Sequence, residues 1–262
     1  LAEDITKWNK PFIDEAFRII KAAEEKGIIL RLIGAIAIRI HCPNYSYLLD
    51  KMNRKLTDID FVAYGKFFDK IRKLFTELGY REDFMITRLF GTNRLLFYNE
   101  NPPYNHTDIF LDKLEFNHTI NFRGRLELEK YTIPLAELLL EKMQIVKINE
   151  KDIIDTIVLI REHEIGESDK ECINAKYIAK ILANDWGFWK TVTDNLKFIK
   201  KYMQKYDMLT SEDIEDVSTK IDKILEYIDK EPKTMKWKWR AKIGTKVKWY
   251  REVEELSRGP TS

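Results

Sequence analysis

Asp58 and Asp60 stand two residues apart inside Lys55-Leu56-Thr57-Asp58-Ile59-Asp60-Phe61-Val62. Leu56, Ile59, Phe61 and Val62 favour extended backbone. In a strand, residues i and i+2 point to one face. The two acids therefore project together, with Cα atoms about 7 Å apart. Like charges side by side repel, and a shared divalent cation removes that repulsion. Magnesium suits the pair, because it takes hard oxygen ligands: one or two carboxylates, completed by waters and substrate phosphates. An isolated Asp-x-Asp is more often a strand end where both acids meet water, so the flanking elements decide the weighing.

Residues 28–33 form an apolar run with the character of a buried strand. Gly34 breaks it, and residues 35–41 return to helical character. A strand, a glycine and a helix N-terminus suit phosphate, since the first amides of a helix are free and glycine lets a ligand approach closely. Gly34 and Ala35 are the phosphate-contacting candidates at that turn. Residues 42–55 read as a polar, irregular loop that carries Arg54 into the Asp58/Asp60 strand. A helix is expected over residues 67–78, closed by Gly79. Strands are expected over 84–88 and 94–98 around Gly91-Thr92-Asn93, followed by a proline-containing loop over 99–105. Residues 106–112 read as a strand carrying Asp108 and Asp112 on one face. Residues 126–133 are expected to be extended, and Pro134 to open a helix reaching about residue 147. Asn149 with Asp152 reads as a polar cap on a further helix to about residue 163. Ahead of all these, apolar spacing predicts a helix over 11–26, with Pro11 near its first turn.

The 262 residues suffice for one large domain or two ordinary ones. Charged residues reach 34 % but net charge is only +2, so nucleic-acid affinity would have to come from a local patch. Cys42 and Cys172 are far apart in sequence, which argues against a disulfide scaffold and fits a reducing compartment. No apolar run reaches the length of a membrane span, and the first residues lack signal-peptide character. A cytoplasmic protein without membrane partners is the expectation. After Gly166 strand signals fade and helical patterns run over 170–182, 188–206 and 211–230. The boundary therefore falls near 165, giving a domain over 1–165 and a helical one over 166–262.

The order strand, Gly34, helix, Thr57-Asp58-Ile59-Asp60, then a later strand with Asp108, resembles the DNA polymerase beta-like nucleotidyltransferase superfamily. Arg54-Lys-Leu-Thr-Asp-Ile-Asp60, Glu141-Lys142 and the Asp152-x-x-Asp155 of the next helix look like its abortive-infection toxin branch. The resemblance covers roughly residues 28–160. It implies an α/β (α+β) core with a mixed sheet flanked by helices, and transfer of an NMP from an NTP to an acceptor hydroxyl with Mg2+ or Mn2+. It implies that Asp58, Asp60 and Asp108 hold the metal, with Asp112 as the rival third acid. Arg54, Lys142, Asp152 and Asp155 then become nucleotide-site residues. The acceptor class it suggests is a tRNA or a protein side chain. The turn here is Gly34-Ala35 where the superfamily usually has Gly-Gly or Gly-Ser, and alanine brings no hydroxyl. Two other readings stay open: a catalytically silent module binding RNA or protein, and a transferase acting on a small antibiotic-type molecule.

Between residues 231 and 252 the chain carries eight Lys or Arg against two acids, interleaved with Trp237, Trp239, Trp249 and Tyr250. Lys236-Trp-Lys-Trp-Arg240 alternates like a strand with one aromatic face. Such a stretch either binds RNA through phosphates and stacked bases, or packs its tryptophans inward and leaves its lysines in water. The second is the expectation.

Overall fold

The computed structural model describes residues 2–101 and 106–253. Residues 102–105 of the expected proline-containing loop lie outside the described residues. In chain order the elements are α1 (Ala2–Glu25), β1 (Leu30–Leu32), α2 (Gly34–His41), α3 (Ser46–Lys51), β2 (Ile59–Ala63), α4 (Phe68–Glu77), β3 (Arg81–Glu82), α5 (Phe84–Phe90), β4 (Arg94–Tyr98) and β5 (His106–Leu111). There follow β6 (Lys113–Glu115), β7 (Thr119–Asn121), α6 (Leu135–Met143), α7 (Glu150–Glu162), β8 (Glu164–Gly166), β9 (Cys172–Asn174), α8 (Ala175–Leu182), α9 (Trp186–Tyr202), α10 (Ser211–Lys230) and α11 (Met235–Ile243).

A five-stranded mixed sheet in the order β1-β2-β5-β4-β3 organises the molecule. Its centre is the parallel pair β2–β5; β1 and β4 flank that pair antiparallel. The register sets Ile59 against Thr107, Asp60 against Asp108 and Phe61 against Ile109. Ile59, Phe61, Ile109, Leu95 and Phe97 are fully buried and form one apolar face of the sheet. Asp60, Asp108 and Arg94 share the other face by strand alternation. The apolar core is continuous from Phe12 to Ile228, so the strand-rich and helical parts share it. Among the described residues, no helix is long and apolar enough to cross a membrane.

Several expectations are corrected. Residues 84–88 belong to a helix, because the Asp83 side chain accepts the Met85 and Ile86 amides and caps it. Pro11 lies inside α1, which begins at Ala2. The loop over 42–55 contains α3. Residues 126–133 form turns and contribute one bridge, Leu32 to Thr132. Strand structure continues past Gly166, where β9 pairs in parallel with β8. The Lys-Trp-Lys-Trp-Arg segment lies in α11, whose start is capped by Thr234. The helix over 211–230 matches α10, which opens with a reciprocal Thr210–Asp213 capping box. Asn149 caps α7 by accepting the Asp152 amide at 3.0 Å.

Candidate functional site

Gly34 opens α2 with φ +68, a conformation that L side chains adopt only with strain. The preceding amide, Ile33 N–H, donates to the Asp60 carbonyl at 3.0 Å and ties the turn to β2. A Cβ added at residue 34 would lie 3.7 Å from both Asp60 Oδ2 and Glu141 Oε1. The glycine therefore sits between two carboxylates, one from the sheet and one from α6. Its own N–H donates to Glu141 Oε2 at 3.1 Å. The helix N-terminus expected to face phosphate is thus met by a buried carboxylate of the same chain. Ala35 follows as a half-buried residue of the first turn.

Asp60 and Asp108 are opposite each other on adjacent parallel strands. Asp58 precedes β2 by one residue, and its Oδ2 lies 3.9 Å from His106 Nε2. Asp58, Asp60 and Asp108 therefore lie on one side of the sheet; spacing anticipates the first two, and the pairing of β2 with β5 brings the third. Burial pushes the Asp60 carboxyl well above the usual carboxylate range, and the negative charges of Asp58, Asp108 and Glu141 push further the same way. Lys142 opposes them only partly. Glu141 is raised too, chiefly by burial. An acid-rich face with too little cationic charge is the donor chemistry that accepts a hard cation.

Asp108 is engaged by a residue the sequence did not single out. Arg94 of β4 reaches diagonally and grips it with two hydrogen bonds, Nε to Oδ1 at 2.7 Å and Nη2 to Oδ2 at 2.9 Å. Among the described residues no group of three His, Cys, Asp or Glu side chains is placed to hold a metal ion. Asp58 and Asp60 remain as a two-carboxylate donor pair.

Asp112 does not share the Asp108 face. The strand ends at Leu111, and Asp112 turns away with φ +62 to accept the Gly65 amide at 3.1 Å. It lines a separate cavity of about 300 Å3 with Asn93, Lys113, Asn121 and Arg123.

Arg54, Lys142, Asp152 and Asp155 come together as one ion cluster beside the acids. Arg54 binds Asp155 through two 2.9 Å hydrogen bonds, and its Nη1 donates to the Lys55 carbonyl at 2.7 Å. Lys142 Nζ lies 3.1 Å from Asp155, 3.4 Å from Asp152 and 3.8 Å from Glu141. All these side chains but Asp152 are buried. Burial pulls the Lys142 ammonium down, but Asp155, Glu141 and Asp152 together outweigh it and leave its pKa raised. Asp155 feels burial first, and Lys142 and Arg54 overcome it and hold the carboxyl low. The donors expected to meet a triphosphate are therefore committed to protein carboxylates. They join the segment before β2, α6 and α7 through Glu141 to the Gly34 turn.

No family model, curated protein or solved structure matches this chain.

Two residues that matter here went unassigned in sequence. Glu141 had a signal: it and Glu137 are four apart in a nonapeptide, Leu135–Met143, that is buried at every position. A glutamate on such a helix needs a partner. Glu137 finds Arg125, and Glu141 finds the Gly34 amide. Arg94 had none, because its grip on Asp108 depends on how β4 pairs with β5.

Proposed function

We propose that the protein is a Mg2+- or Mn2+-dependent nucleotidyltransferase that moves an NMP unit from an NTP to an acceptor hydroxyl on a tRNA or a protein. The observation that carries this reading is the in-register pair Asp60–Asp108 on parallel strands, with Asp58 beside it and the Gly34 turn against Asp60. Asp58 and Asp60 would hold the metal. A bound divalent cation would neutralise phosphate charge and stabilise the attacking and leaving oxygens. The chain's own residues position the reactants, which is most of what phosphoryl chemistry asks of a protein. The acceptor oxygen bonds to the α-phosphorus, the bond to the bridging oxygen breaks and pyrophosphate leaves. Asp108 takes the hydroxyl proton once Arg94 has moved aside. Arg54, Lys142, Asp152 and Asp155 act as positioning residues, locking α6 and α7 against the segment that leads into β2.

A catalytically silent binding module is the second reading. Arg94 on Asp108 and Glu141 on the Gly34 amide favour it, since each fills internally a place that metal or phosphate would take. Incubation with α-labelled NTPs, Mg2+ and total tRNA or protein extract separates the two. Transfer of label, lost in the Asp58→Ala/Asp60→Ala double variant, is the expected result. Label transfer that persists in that variant removes the assigned site, and absence of transfer with every NTP favours the silent module.

A further inference from the structure

In a strand, Trp237 and Trp239 would share a face. In α11 they lie about 200° apart around the axis, on opposite sides. Trp237 turns inward and packs edge-on against Trp189, with ring centroids 5.1 Å apart. Trp249 is also held to the body, its Nε1 donating to Thr191 at 3.1 Å. Trp239 faces outward and is 63 % exposed. Met235 and Ile243, one turn to either side of it, are exposed as well. Lysines flank this stripe on both sides: Lys236 on one, Lys238 and Lys242 on the other, with Lys246 in the turn beyond. All four are exposed, and none of their ammonium groups has a hydrogen bond or ion pair among the described residues. Lys242 Nζ stands 4.4 Å from the centre of the Trp239 ring. From residue 232 to residue 251 there is no acid.

The other cations of the segment are already employed. Arg240 lies over Trp186 and donates to the Gly244 and Val247 carbonyls, and Arg251 binds Glu115 and Thr119. These contacts and the packed tryptophans anchor the segment. What they leave outside is one aromatic ring set among four uncommitted cations.

We propose that the outer face of α11 binds an unpaired segment of RNA, with a base stacked on Trp239 and neighbouring phosphates on Lys236, Lys238, Lys242 and Lys246. Stacking needs a base free of its duplex, which RNA offers in its loops and ends. A phosphate partner answers the uninterrupted positive charge. A membrane surface fits less well, since an interfacial helix needs a broad apolar face, and here nine residues supply three apolar side chains outside. The surface does not depend on the acid site.

The test is fluorescence anisotropy of a short labelled single-stranded oligoribonucleotide with the full chain, in EDTA and without NTP. Because neither metal nor NTP is present, failure here leaves the transfer reading untouched, and the reverse. Binding at about 50 mM salt is expected, weakening as salt rises with a log–log slope of about −2.8 for four phosphate contacts. The quadruple variant Lys236→Gln/Lys238→Gln/Lys242→Gln/Lys246→Gln should flatten that slope and weaken binding at least about ten-fold. Trp239→Ala should weaken binding about ten-fold and leave the slope unchanged. The proposal is overturned by no binding at low salt, by parent-like binding in both variants, or by a duplex of the same sequence competing equally. Capture by anionic vesicles in the absence of RNA binding overturns it as well.

Discussion

The Gly34 amide donates to the Glu141 carboxylate, so a helix distant in sequence, α6, closes the N-terminus of α2. Glu141→Ala removes the acceptor of a buried N–H and should cost about 1–3 kcal/mol in urea unfolding. Glu141→Gln keeps an acceptor oxygen and removes a charge that burial disfavours, so it should match or exceed the parent at neutral pH. Gly34→Ala meets no atom closer than 3.7 Å, so its cost of about 1–2 kcal/mol should come from the left-handed backbone alone.

The raised Asp60 carboxyl gives a pH dependence of definite sign. The folded state holds that proton more tightly than the unfolded chain does, so stability falls as pH rises from the ordinary carboxylate range, about 4, towards the raised value. Asp60→Asn removes this burden. Its Tm should exceed the parent's at neutral pH, and the gap should close as the pH drops to about 4. His41, held down to about 4 by burial and by His163, acts oppositely as pH falls from 6.5, but equally in both proteins. The parent–variant difference therefore cancels His41 and reports Asp60 together with the acids that act on it, Asp58, Asp108 and Glu141. Millimolar Mg2+ should raise the parent's Tm and leave the variant's unchanged.

Arg54 and Asp155 form the most enclosed ion pair of the site, with side chains 8 % and 1 % exposed. Arg54→Met leaves Asp155 with Lys142 alone and should cost about 3–5 kcal/mol in thermal or urea unfolding. Arg54→Lys should recover little, because one ammonium cannot reproduce two parallel hydrogen bonds. Asp155→Asn should also destabilise, and the parent's advantage over it should shrink in acid as the depressed carboxyl is finally protonated.

Arg94 decides whether Asp108 is free to join a metal. Arg94→Met should strengthen the Mg2+- or Mn2+-induced rise in Tm, since a third carboxylate then faces Asp60. If Arg94 instead serves the protein only as a packed ion pair, the variant will lose stability and show no added response to metal.

Much of this architecture was readable from local pattern. Strand-forming residues located β2 and β5, the Asn149 cap located α7 and helical spacing located α10, because those signals act within a few residues. Residues 84–88 and 236–240 resemble strands in sequence for the same reason: short apolar or alternating runs look alike in both states. The cues that settle them, Asp83 and Thr234 as caps, stand one residue ahead of each helix.

The chain alone thus determined that Asp58 and Asp60 share a face, since alternation follows from backbone geometry, and that a glycine turn precedes them; the same alternation set Asp112 beside Asp108, which the end of β5 at Leu111 overturns. Tertiary structure decided what each of them meets. Arg94 reaches Asp108 through a strand pairing, Glu141 reaches Gly34 across 107 positions, and Arg54 reaches Asp155 across 101. Such partners are chosen by register and helix packing, and a buried charge takes whichever counter-charge the fold brings within hydrogen-bonding distance.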